Sequence, residues 1–343
     1  MRVTLRSYAK INLGLAIGPV RPDRFHALAT VYQTIDAHDL VTVEIVPRES
    51  TGPRITITSN DTRVPLDERN TAWKIVKPAL ETTGRDSIAV RVHIDKQLPV
   101  QGGLGAGSAN ALAALVGLER LAARRGLAPL SGAARLRLAA SVGSDVPLFL
   151  LGGTVLGLGR GEEVLPVEDL PELPLVVAVP PLGVSTPAAF QEWDRVQENA
   201  GLTPGAQAAR LSELSRTLAA VWCERHTSGV FSDQNRRKGK DQAGTLLSTL
   251  VQTGILRNDF EQVVFRQHPF LETIKHALSG DTSVYSALSG SGSALFGLYK
   301  DEDAAAAAEQ RLKAQFHTAG VRVFRAQTLD RPAYWAGMVV RED

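Results

Sequence analysis

A glycine-rich stretch between a predicted strand and a predicted helix constrains the fold of this chain more than any other feature. It reads LPVQGGLGAGSANALAALVGLERL over residues 98–121, with four glycines at positions 102–107. The patterns around it predict a strand near residues 90–95 and a helix over residues 108–125. N–H groups at a helix N-terminus bind anions, and glycine lets a ligand approach them closely. The stretch therefore predicts a phosphate-binding loop.

The two common phosphate-binding motifs do not describe this loop. A P-loop ends in Gly-Lys-Ser/Thr, whereas this chain has Gly107-Ser108-Ala109. The dinucleotide motif GxGxxG/A, begun at Gly103, reaches Ser108 at its third position, and no acidic residue follows at the end of a second strand. The glycines alone are also compatible with a tight strand-to-helix turn that binds no ligand.

The periodicity of the rest of the chain predicts strands that alternate with helices. Strands are predicted at residues 3–15, 40–46, 54–59, 90–94, 173–179, 293–299 and 321–327. Helices are predicted at residues 71–83, 108–125, 131–142, 186–198, 208–222, 258–264 and 301–316. This order predicts a mixed α/β (α+β) chain of two domains.

The boundary between the two domains is predicted near Gly152-Gly153 or in the LPELP run at residues 170–174. The first position gives an N-terminal domain over residues 1–153 and a C-terminal domain over residues 154–343. The polar stretch at residues 224–244 shows little periodicity, so it predicts a flexible insertion in the second domain.

Composition excludes several classes of protein. The 343 residues are 44% hydrophobic and 22% charged with a net charge of +2, which is typical of a globular chain without a nucleic-acid-binding face. A short basic run at residues 236–240 is typical of a solvated loop. No segment predicts a membrane span, and the single cysteine, Cys223, favours the reducing cytoplasm. No feature of the sequence specifies an oligomeric state.

Three polar residues are candidates for catalysis. Lys10 and Asn12 point the same way on the first predicted strand, because side chains two residues apart share a face. A lysine on a strand face is ordinarily solvated. Asp145 follows the predicted helix 131–142, a position typical of a turn residue. Their residue types alone leave the roles of all three open.

The order of four motifs resembles that of the GHMP kinases, a superfamily of small-molecule kinases. The motifs are AKINL at residues 9–13, PVQGGLGAGSANA at 99–111, GSDVPLF at 143–149 and SGSGSA at 289–294. Two further motifs, RPDRFHAL at residues 21–28 and GVSTPAAF at 183–190, resemble the branch that phosphorylates 4-diphosphocytidyl-2-C-methyl-D-erythritol. The resemblance implies a ribosomal-protein-S5-like N-terminal domain, a ferredoxin-like C-terminal domain and an active site between them.

The resemblance also implies a reaction and its catalytic residues. The reaction is the ATP- and Mg²⁺-dependent phosphorylation of the 2-hydroxyl of that cytidine diphosphate-linked sugar alcohol, in the non-mevalonate isoprenoid pathway. Asp145 matches the catalytic base, and Lys10 matches a lysine whose charge lowers the pKa of the substrate hydroxyl. Asn12 orients that hydroxyl or ties down a neighbouring loop.

The resemblance further assigns the residues that bind the two substrates. Phe25 and Phe190 match two rings that sandwich the cytosine, His26 matches the residue that hydrogen-bonds the base, and Thr186 lines the erythritol end. The residues implied to hold ATP are Pro99, Val100, Gln101, Gly102, Gly103, Leu104, Gly105, Ala106, Gly107, Ser108 and Ala109 around the phosphates, with Asn70 and Lys96 at the adenosine. Ser108 either caps the helix or contacts a phosphate or Mg²⁺, and no metal ligand is assigned.

The chain departs from the family pattern in its length, to which residues 224–244 contribute, and in two short motifs. Asp23-Arg24-Phe25-His26 stands where Asp-Gly-Tyr-His is usual, and Ala106 and Ala109 stand where a further glycine and paired serines are frequent. Two alternatives stay open at this point. One is a GHMP kinase that acts on homoserine or mevalonate, which need no aromatic platform for a base. The other is a non-catalytic binding protein with the same fold.

Overall fold

A long antiparallel hairpin forms the centre of the molecule. The structure is a computed structural model, and it describes residues 1–48, 52–82, 88–226, 247, 250–251, 256–280 and 282–343. The strands of the hairpin are β1 (Arg2–Val20) and β2 (His26–Pro47). Alternating apolar residues bury one face of β1, and its register against β2 shifts after Tyr8 and again after Asn12. Such shifts bend a strand and redirect side chains, and Lys10 and Asn12 lie between the two.

The first sheet is built around this hairpin. Its other strands are β3 (Ile55–Ser59), β4 (Ile88–Asp95), β5 (Thr154–Leu158), β6 (Glu163–Pro166) and β11 (Val339–Glu342). The strand order is β11-β1-β2-β4-β3, while β5 pairs with β2 and with β6. The neighbouring helices are α1 (Thr71–Thr82), α2 (Ala106–Ala123), α3 (Gly132–Val142), α4 (Leu148–Leu151) and α10 (Arg331–Met338). Apolar residues of α1 and α2 pack with those of the sheet in one core cluster, which fixes the start of α2 beside β1.

The second sheet has the order β10-β7-β9-β8 and is antiparallel throughout. Its strands are β7 (Pro174–Val179), β8 (Ser283–Leu288), β9 (Leu295–Tyr299) and β10 (Arg322–Gln327). Its helices are α5 (Thr186–Asn199), α6 (Pro204–His226), α7 (Glu261–Gln267), α8 (Pro269–Leu278) and α9 (Glu302–Phe316), and a 3₁₀ turn follows at His317–Ala319. The pattern βαββαβ with this strand order is ferredoxin-like.

The two sheets share an apolar core. Ile11 and Leu13 of β1 cluster with Val177 of β7 and Phe296 of β9, and all four side chains are fully buried. Because this cluster continues into Leu104 of the glycine-rich segment, the two halves meet directly beneath that segment.

The predicted α+β class with two sheets is confirmed, while two details of the predicted organisation change. Strands β5 and β6 belong to the first sheet, and so does β11 at the C-terminal end of the chain. The sheets therefore separate in the LPELP run at residues 170–174 and not at Gly152-Gly153, and the last strand returns to the first half.

The predicted flexible insertion at residues 224–244 falls largely outside the part of the chain that the structure describes. Its first three residues, 224–226, form the end of helix α6, so the loop prediction is wrong there. The prediction for residues 227–244 lies outside the described residues.

Candidate active site

Lys10 and Asn12 lie side by side on β1, as the period of the strand predicts. The Lys10 side chain is 3% exposed, and its Nζ donates a hydrogen bond of 2.5 Å to Asn12 Oδ1. Asn12 Nδ2 in turn donates to Thr30 Oγ1 at 2.8 Å, and Thr30 donates to the carbonyl of Gly14 at 2.7 Å. This chain of bonds fixes the Asn12 amide with its oxygen toward Lys10, since a buried ammonium needs acceptors.

Asp145 meets Lys10 from the turn between α3 and α4. Lys10 Nζ lies 3.3 Å from Asp145 Oδ2, and the Asp145 side chain is 32% exposed. Tyr32 donates a hydrogen bond of 3.1 Å to the other carboxylate oxygen, Oδ1. Burial, reinforced by the negative charge of Asp145, raises the pKa of Tyr32 well above its ordinary value, so Tyr32 remains a donor at neutral pH.

Sequence reasoning brought together Lys10, Asn12 and Asp145 but missed Tyr32. Tyr32 lies directly opposite Asn12 in the β1–β2 register. That register contains three irregularities, and two of them lie between the turn and this pair, so counting back from the turn would not have found the pairing. The signal that was available is the single aromatic residue among the aliphatic and polar side chains of ATVYQTI, residues 29–35 of β2.

The glycine-rich segment, residues 99–109, runs past Lys10 into helix α2. Helix α2 begins at Ala106, after Gly105 with φ 69° and no side-chain cap. The first N–H groups of a helix have no intrahelical acceptor, so they are available to an anion. Ser108 is the third residue of the helix and not its cap, which removes the capping role proposed for it.

At two positions of this segment, Gly103 and Gly105, neighbouring atoms of the protein leave no room for a side chain. A Cβ on Gly103, where φ is +78°, would lie 2.3 Å from the carbonyl oxygen of Ser289. A Cβ on Gly105 would lie 2.9 Å from Cγ of Lys10. The backbone N–H of Lys10 also donates to the carbonyl of Leu104 at 3.0 Å. The segment is therefore packed directly against the lysine-bearing strand.

The second half of the molecule reaches the glycine-rich segment through residues 289–294. Ser289 Oγ donates to the carbonyl of Gly103 at 2.9 Å, and the N–H of Ala294 donates to the carbonyl of Gly102 at 3.0 Å. Thr186 at the start of α5 is hydrogen-bonded to Ser291 at 2.7 Å. The SGSGSA motif thus joins the second sheet to the segment.

A buried carboxylate, Asp39, organises the start of the glycine-rich segment. Its oxygens accept hydrogen bonds from the backbone N–H groups of Gln97 and Leu98 at 2.8 and 2.7 Å, and from Asn110 Nδ2 at 3.1 Å. Lys96 Nζ lies 2.5 Å from Asp39 Oδ2, and the Lys96 and Asp39 side chains are 5% and 0% exposed. The ammonium of Lys96 is therefore already neutralised within the fold.

Asn70 also has a structural role. It precedes helix α1, where its Oδ1 accepts from the N–H of Ala72 at 2.8 Å and its Nδ2 donates to the carbonyl of Pro65 at 2.7 Å. Asn70 and Lys96 nevertheless both line a cavity of about 340 Å³, the loop cavity, beside the glycine-rich segment. The structure thus brings together the two residues that sequence comparison assigned to adenosine.

Lys10, Asn12 and Asp145 open onto a second cavity of about 610 Å³, the central cavity. The side chains assigned to the alcohol substrate line this same space, namely Phe25, His26, Thr186 and Phe190. Gly103 and Gly105 line both cavities. The glycine-rich segment is therefore the wall between them.

The far end of the central cavity is built from aromatic and charged side chains. His26 stacks on Phe190 with ring centroids 4.6 Å apart and planes 10° from parallel, and its Nε2 is 2.7 Å from Asp194 Oδ1. Phe190 and Asp194 lie one turn apart on α5, so they share a face. One face of the Phe190 ring is therefore covered by His26 and not left open toward Phe25.

Phe25 lies at the mouth of the same end, in the turn between β1 and β2. Its ring is 53% exposed, and the guanidinium of Arg160 lies 4.9 Å from its centroid. The preceding residue, Arg24, has φ 67° and also lines the cavity. A left-handed backbone is uncommon for a residue other than glycine. Sequence reasoning noted Arg24 as a departure but did not predict Arg160.

The described residues contain neither a metal-site cluster nor a membrane-spanning helix. No cluster of three or more histidine, cysteine, aspartate or glutamate side chains within them has the arrangement of a metal site. None of the helices in the same part of the chain combines the length and the apolar character that crossing a bilayer requires.

Comparisons with known proteins agree with this geometry. The family model for the GHMP kinase N-terminal domain matches residues 70–153, and that for the GHMP kinase C-terminal domain matches residues 245–318. A 4-diphosphocytidyl-2-C-methyl-D-erythritol kinase of Solibacter usitatus is 36% identical over 305 residues, which covers 88% of this chain and 82% of that protein. The kinase of the same name from a Synechococcus species is 35% identical and covers 91% and 90% of the two chains.

Solved structures show the same fold. A crystal structure of 4-(cytidine 5'-diphospho)-2C-methyl-D-erythritol kinase covers 96% of this chain and 99% of its own, with a TM-score of 0.65 at 25% identity. A homoserine kinase from Cytophaga hutchinsonii gives a TM-score of 0.68 at 19% identity, covering 96% and 95% of the two chains. Kinases named for different alcohols thus share this fold. The two relatives that are similar in sequence over most of the chain are both 4-diphosphocytidyl-2-C-methyl-D-erythritol kinases. This chain belongs to the 4-diphosphocytidyl-2-C-methyl-D-erythritol kinase family of the GHMP kinases.

Proposed function

We propose that the protein transfers the γ-phosphoryl group of ATP to the 2-hydroxyl of 4-diphosphocytidyl-2-C-methyl-D-erythritol, releasing ADP and the 2-phosphate. The observation that carries this proposal is the Lys10–Asp145 pair, 3.3 Å apart, which opens onto the central cavity beside the glycine-rich segment. An alcohol in that cavity and a nucleotide in the loop cavity would meet at this pair. We assign the reaction to the cytoplasm.

Asp145 is the base in this reaction. Its carboxylate accepts the proton of the 2-hydroxyl while the hydroxyl oxygen bonds to the γ-phosphorus and the bond from that phosphorus to the leaving ADP oxygen breaks. Lys10 stabilises the negative charge on the attacking oxygen, because its ammonium is held by Asn12 and Asp145. Most of the rate gain in phosphoryl transfer comes from such positioning and electrostatics.

ATP binds along the glycine-rich segment. The N-terminus of α2 faces the triphosphate with free N–H groups and the positive end of the helix dipole. The adenosine occupies the loop cavity, where Asn70 and Lys96 line the wall. Because the ammonium of Lys96 is engaged by Asp39, we assign to Lys96 a contact through its aliphatic stem and not through its charge.

The residues near the phosphates also fit a Mg²⁺ ion. Mg²⁺ prefers oxygen ligands and is held by one or two protein groups together with substrate phosphates. Ser108, in the first turn of α2, supplies a hydroxyl oxygen on the wall of the loop cavity. We assign the ion to Ser108 and the phosphate oxygens, where it would neutralise the charge of the transferring phosphate.

The cytidine end of the substrate occupies the far end of the central cavity. One face of Phe25 is covered by Arg160, so the base stacks on the other face. A base can stack on Phe190 only after His26 leaves the face of the Phe190 ring that it covers. The edge of the His26 ring is then free to hydrogen-bond the base. Thr186 lies nearer the reacting end, because it bonds Ser291 of the SGSGSA motif.

A substrate-profile assay tests the proposal. ADP release is measured with the cytidine-linked compound, with methylerythritol lacking the cytidine diphosphate, with homoserine and with mevalonate. We expect turnover with the first compound and very weak turnover with the other three, since remote binding energy holds the hydroxyl in line. Equal turnover of homoserine or mevalonate would leave only the GHMP kinase assignment, and no ADP release with any alcohol would favour the binding-protein alternative.

A further inference from the structure

Tyr32 touches both members of the proposed catalytic pair. Its hydroxyl is 3.1 Å from Asp145 Oδ1, and the ammonium of Lys10 lies 5.6 Å from the centroid of its ring. The side chain is 2% exposed. A tyrosine hydroxyl buried to this degree needs a partner, and within the described residues that partner is the carboxylate of Asp145.

The hairpin formed by β5 and β6 is shaped to accommodate this side chain. A Cβ on Gly157 would lie 2.5 Å from Cε2 of Tyr32, and a Cβ on Gly161 would lie 2.4 Å from its hydroxyl oxygen. Gly161 also has φ +100°, a conformation suited to glycine. Two glycines thus fix the position of the ring and of its hydroxyl.

Asp145, in contrast, has little else to hold it. It lies on a short turn between α3 and α4, and its side chain is partly exposed. Among the described residues its carboxylate has two polar contacts, Lys10 at Oδ2 and Tyr32 at Oδ1. Without the hydroxyl, the carboxylate would be free to rotate about its last bond.

We propose that Tyr32 is a positioning residue that holds Asp145 Oδ1, so that Oδ2 faces Lys10 and the reacting hydroxyl. This inference rests on the proposed function, because it gives Asp145 the role of base. Tyr32 itself transfers no proton, since burial and the neighbouring carboxylate keep its hydroxyl protonated. Its effect is therefore on kcat, through the orientation of Asp145, and not on the binding of either substrate.

The test compares Tyr32→Phe with Tyr299→Phe. Tyr299 is fully buried, and its hydroxyl donates to the carbonyl of Leu278 at 2.9 Å in the second sheet, so this control also loses one buried hydrogen bond. We expect Tyr32→Phe to lower kcat by about tenfold, as expected for one hydrogen bond to a charged group. We expect the KM values to change by less than about twofold, with kcat of Tyr299→Phe unchanged. Wild-type kcat in folded Tyr32→Phe would overturn the inference.

A double variant shows whether Tyr32 acts through Asp145. If it does, Tyr32→Phe added to Asp145→Ala should lower the residual kcat no further, because the group that it positions is already gone. A further tenfold loss in the double variant would overturn the inference and leave the base assignment intact. Wild-type kcat in Asp145→Ala alone would instead overturn the proposed base and this inference with it.

A third variant leaves Tyr32 in place. Gly161→Ala would displace the Tyr32 hydroxyl, because the added Cβ would lie 2.4 Å from it. We expect a loss of kcat similar to that of Tyr32→Phe. Wild-type kcat in folded Gly161→Ala would contradict the inference independently of any effect that Phe has on folding.

Discussion

The two ends of the central cavity are built in different ways. At the reacting end, Lys10 and Asn12 lie on a central strand, are almost fully buried and are joined by hydrogen bonds to further buried groups. The opposite end, where we propose that the cytosine binds, is called the base end. There Phe25 lies in a turn and is 53% exposed, and Asp194 is 41% exposed on its helix. Strands thus carry Lys10 and Asn12, and Asp145 reaches them from a turn. A turn and a helix surface carry the residues that we propose for recognition of the base.

The difference shows where each end tolerates change. A phosphoryl transfer needs its groups fixed within fractions of an ångström, and the reacting end has little room for adjustment. If cytosine stacks on Phe190 as proposed, the base end has to rearrange first, because His26 covers that ring. Substitutions at the reacting end should therefore lower kcat, and those at the base end should raise KM.

The largest effect is expected at the catalytic pair. Asp145→Asn keeps the shape but removes the base, and Lys10→Ala removes the charge beside the developing alkoxide. Each should lower kcat by about 10²–10⁴-fold, the usual range for a positioned acid or base. Steady-state ADP release checks kcat, and equilibrium titration checks that ATP affinity is largely kept. Turnover near the wild-type rate in Asp145→Asn would remove Asp145 from the role of base.

The next effect concerns Gly105, where the structure changes the expected mechanism. From the sequence, a side chain at position 105 would obstruct the phosphates. In the structure its Cβ would first meet Cγ of Lys10 at 2.9 Å and Cζ of Phe149 at 3.1 Å. Gly105→Ala should therefore lower kcat by about 10²-fold, since a displacement of about 1 Å at a catalytic group has that effect. Gly105→Val should in addition weaken ATP binding.

Gly126 provides the matched control for Gly105. Its φ is +72°, close to the +69° of Gly105, but a Cβ there would meet no atom within 4 Å. Gly126→Ala therefore carries the same backbone strain without the contact. Kinetic measurements on both variants separate the two causes. Equal loss of kcat in Gly105→Ala and Gly126→Ala would show that backbone strain, and not the displacement of Lys10, is responsible.

At the base end, Phe25→Ala should raise KM for the cytidine-linked substrate with a smaller change in kcat. Loss of one stacking contact with a base costs about 1–3 kcal/mol, which corresponds to about 5–150-fold in affinity. The KM for ATP should stay within about twofold. A variant in which kcat alone falls would show that Phe25 acts at the reacting end and would contradict the division of the cavity.

The smallest effect is expected for Arg24→Gly. The substitution removes an exposed positive charge beside the cavity and relieves a left-handed arginine. The KM for the diphosphate-bearing substrate should rise by about two- to fivefold, because an exposed charge pair contributes about 0.2–1 kcal/mol. The rise should shrink as salt concentration increases. A KM that is unchanged at low salt would exclude Arg24 from substrate binding.

Local periodicity explains what could be predicted from the sequence. The shared face of Lys10 and Asn12 depends on neighbours two residues apart, and the start of α2 depends on the glycines that precede it. The role of Asp145 came from the resemblance alone, since an aspartate after a helix is usually a turn residue. The strands that were missed, β5, β6, β8 and β11, are only four to six residues long and carry little periodicity of their own.

The contacts that sequence reasoning missed depend on distant parts of the chain. Tyr32 reaches Asp145 across 113 positions, and His26 reaches Asp194 across 168. Both pairs require the register of a strand and the placement of a helix, which no window of sequence contains. The stacking of His26 on Phe190 is of the same kind, so the resemblance to the family named these two residues but did not predict that their rings stack on each other.

The four hydrogen bonds that Asp39 accepts have a thermodynamic consequence for nucleotide binding. They hold the chain on either side of the glycine-rich segment while the protein folds, including Gln97, Leu98 and Asn110. Ordering a loop costs about 1–2 kcal/mol per residue in backbone entropy, and here that cost falls on folding. If ATP binds along this segment as proposed, it meets a segment that is already in place, and its binding is free of a large entropic penalty. Asp39, which does not line the loop cavity, would then contribute to the affinity for the nucleotide.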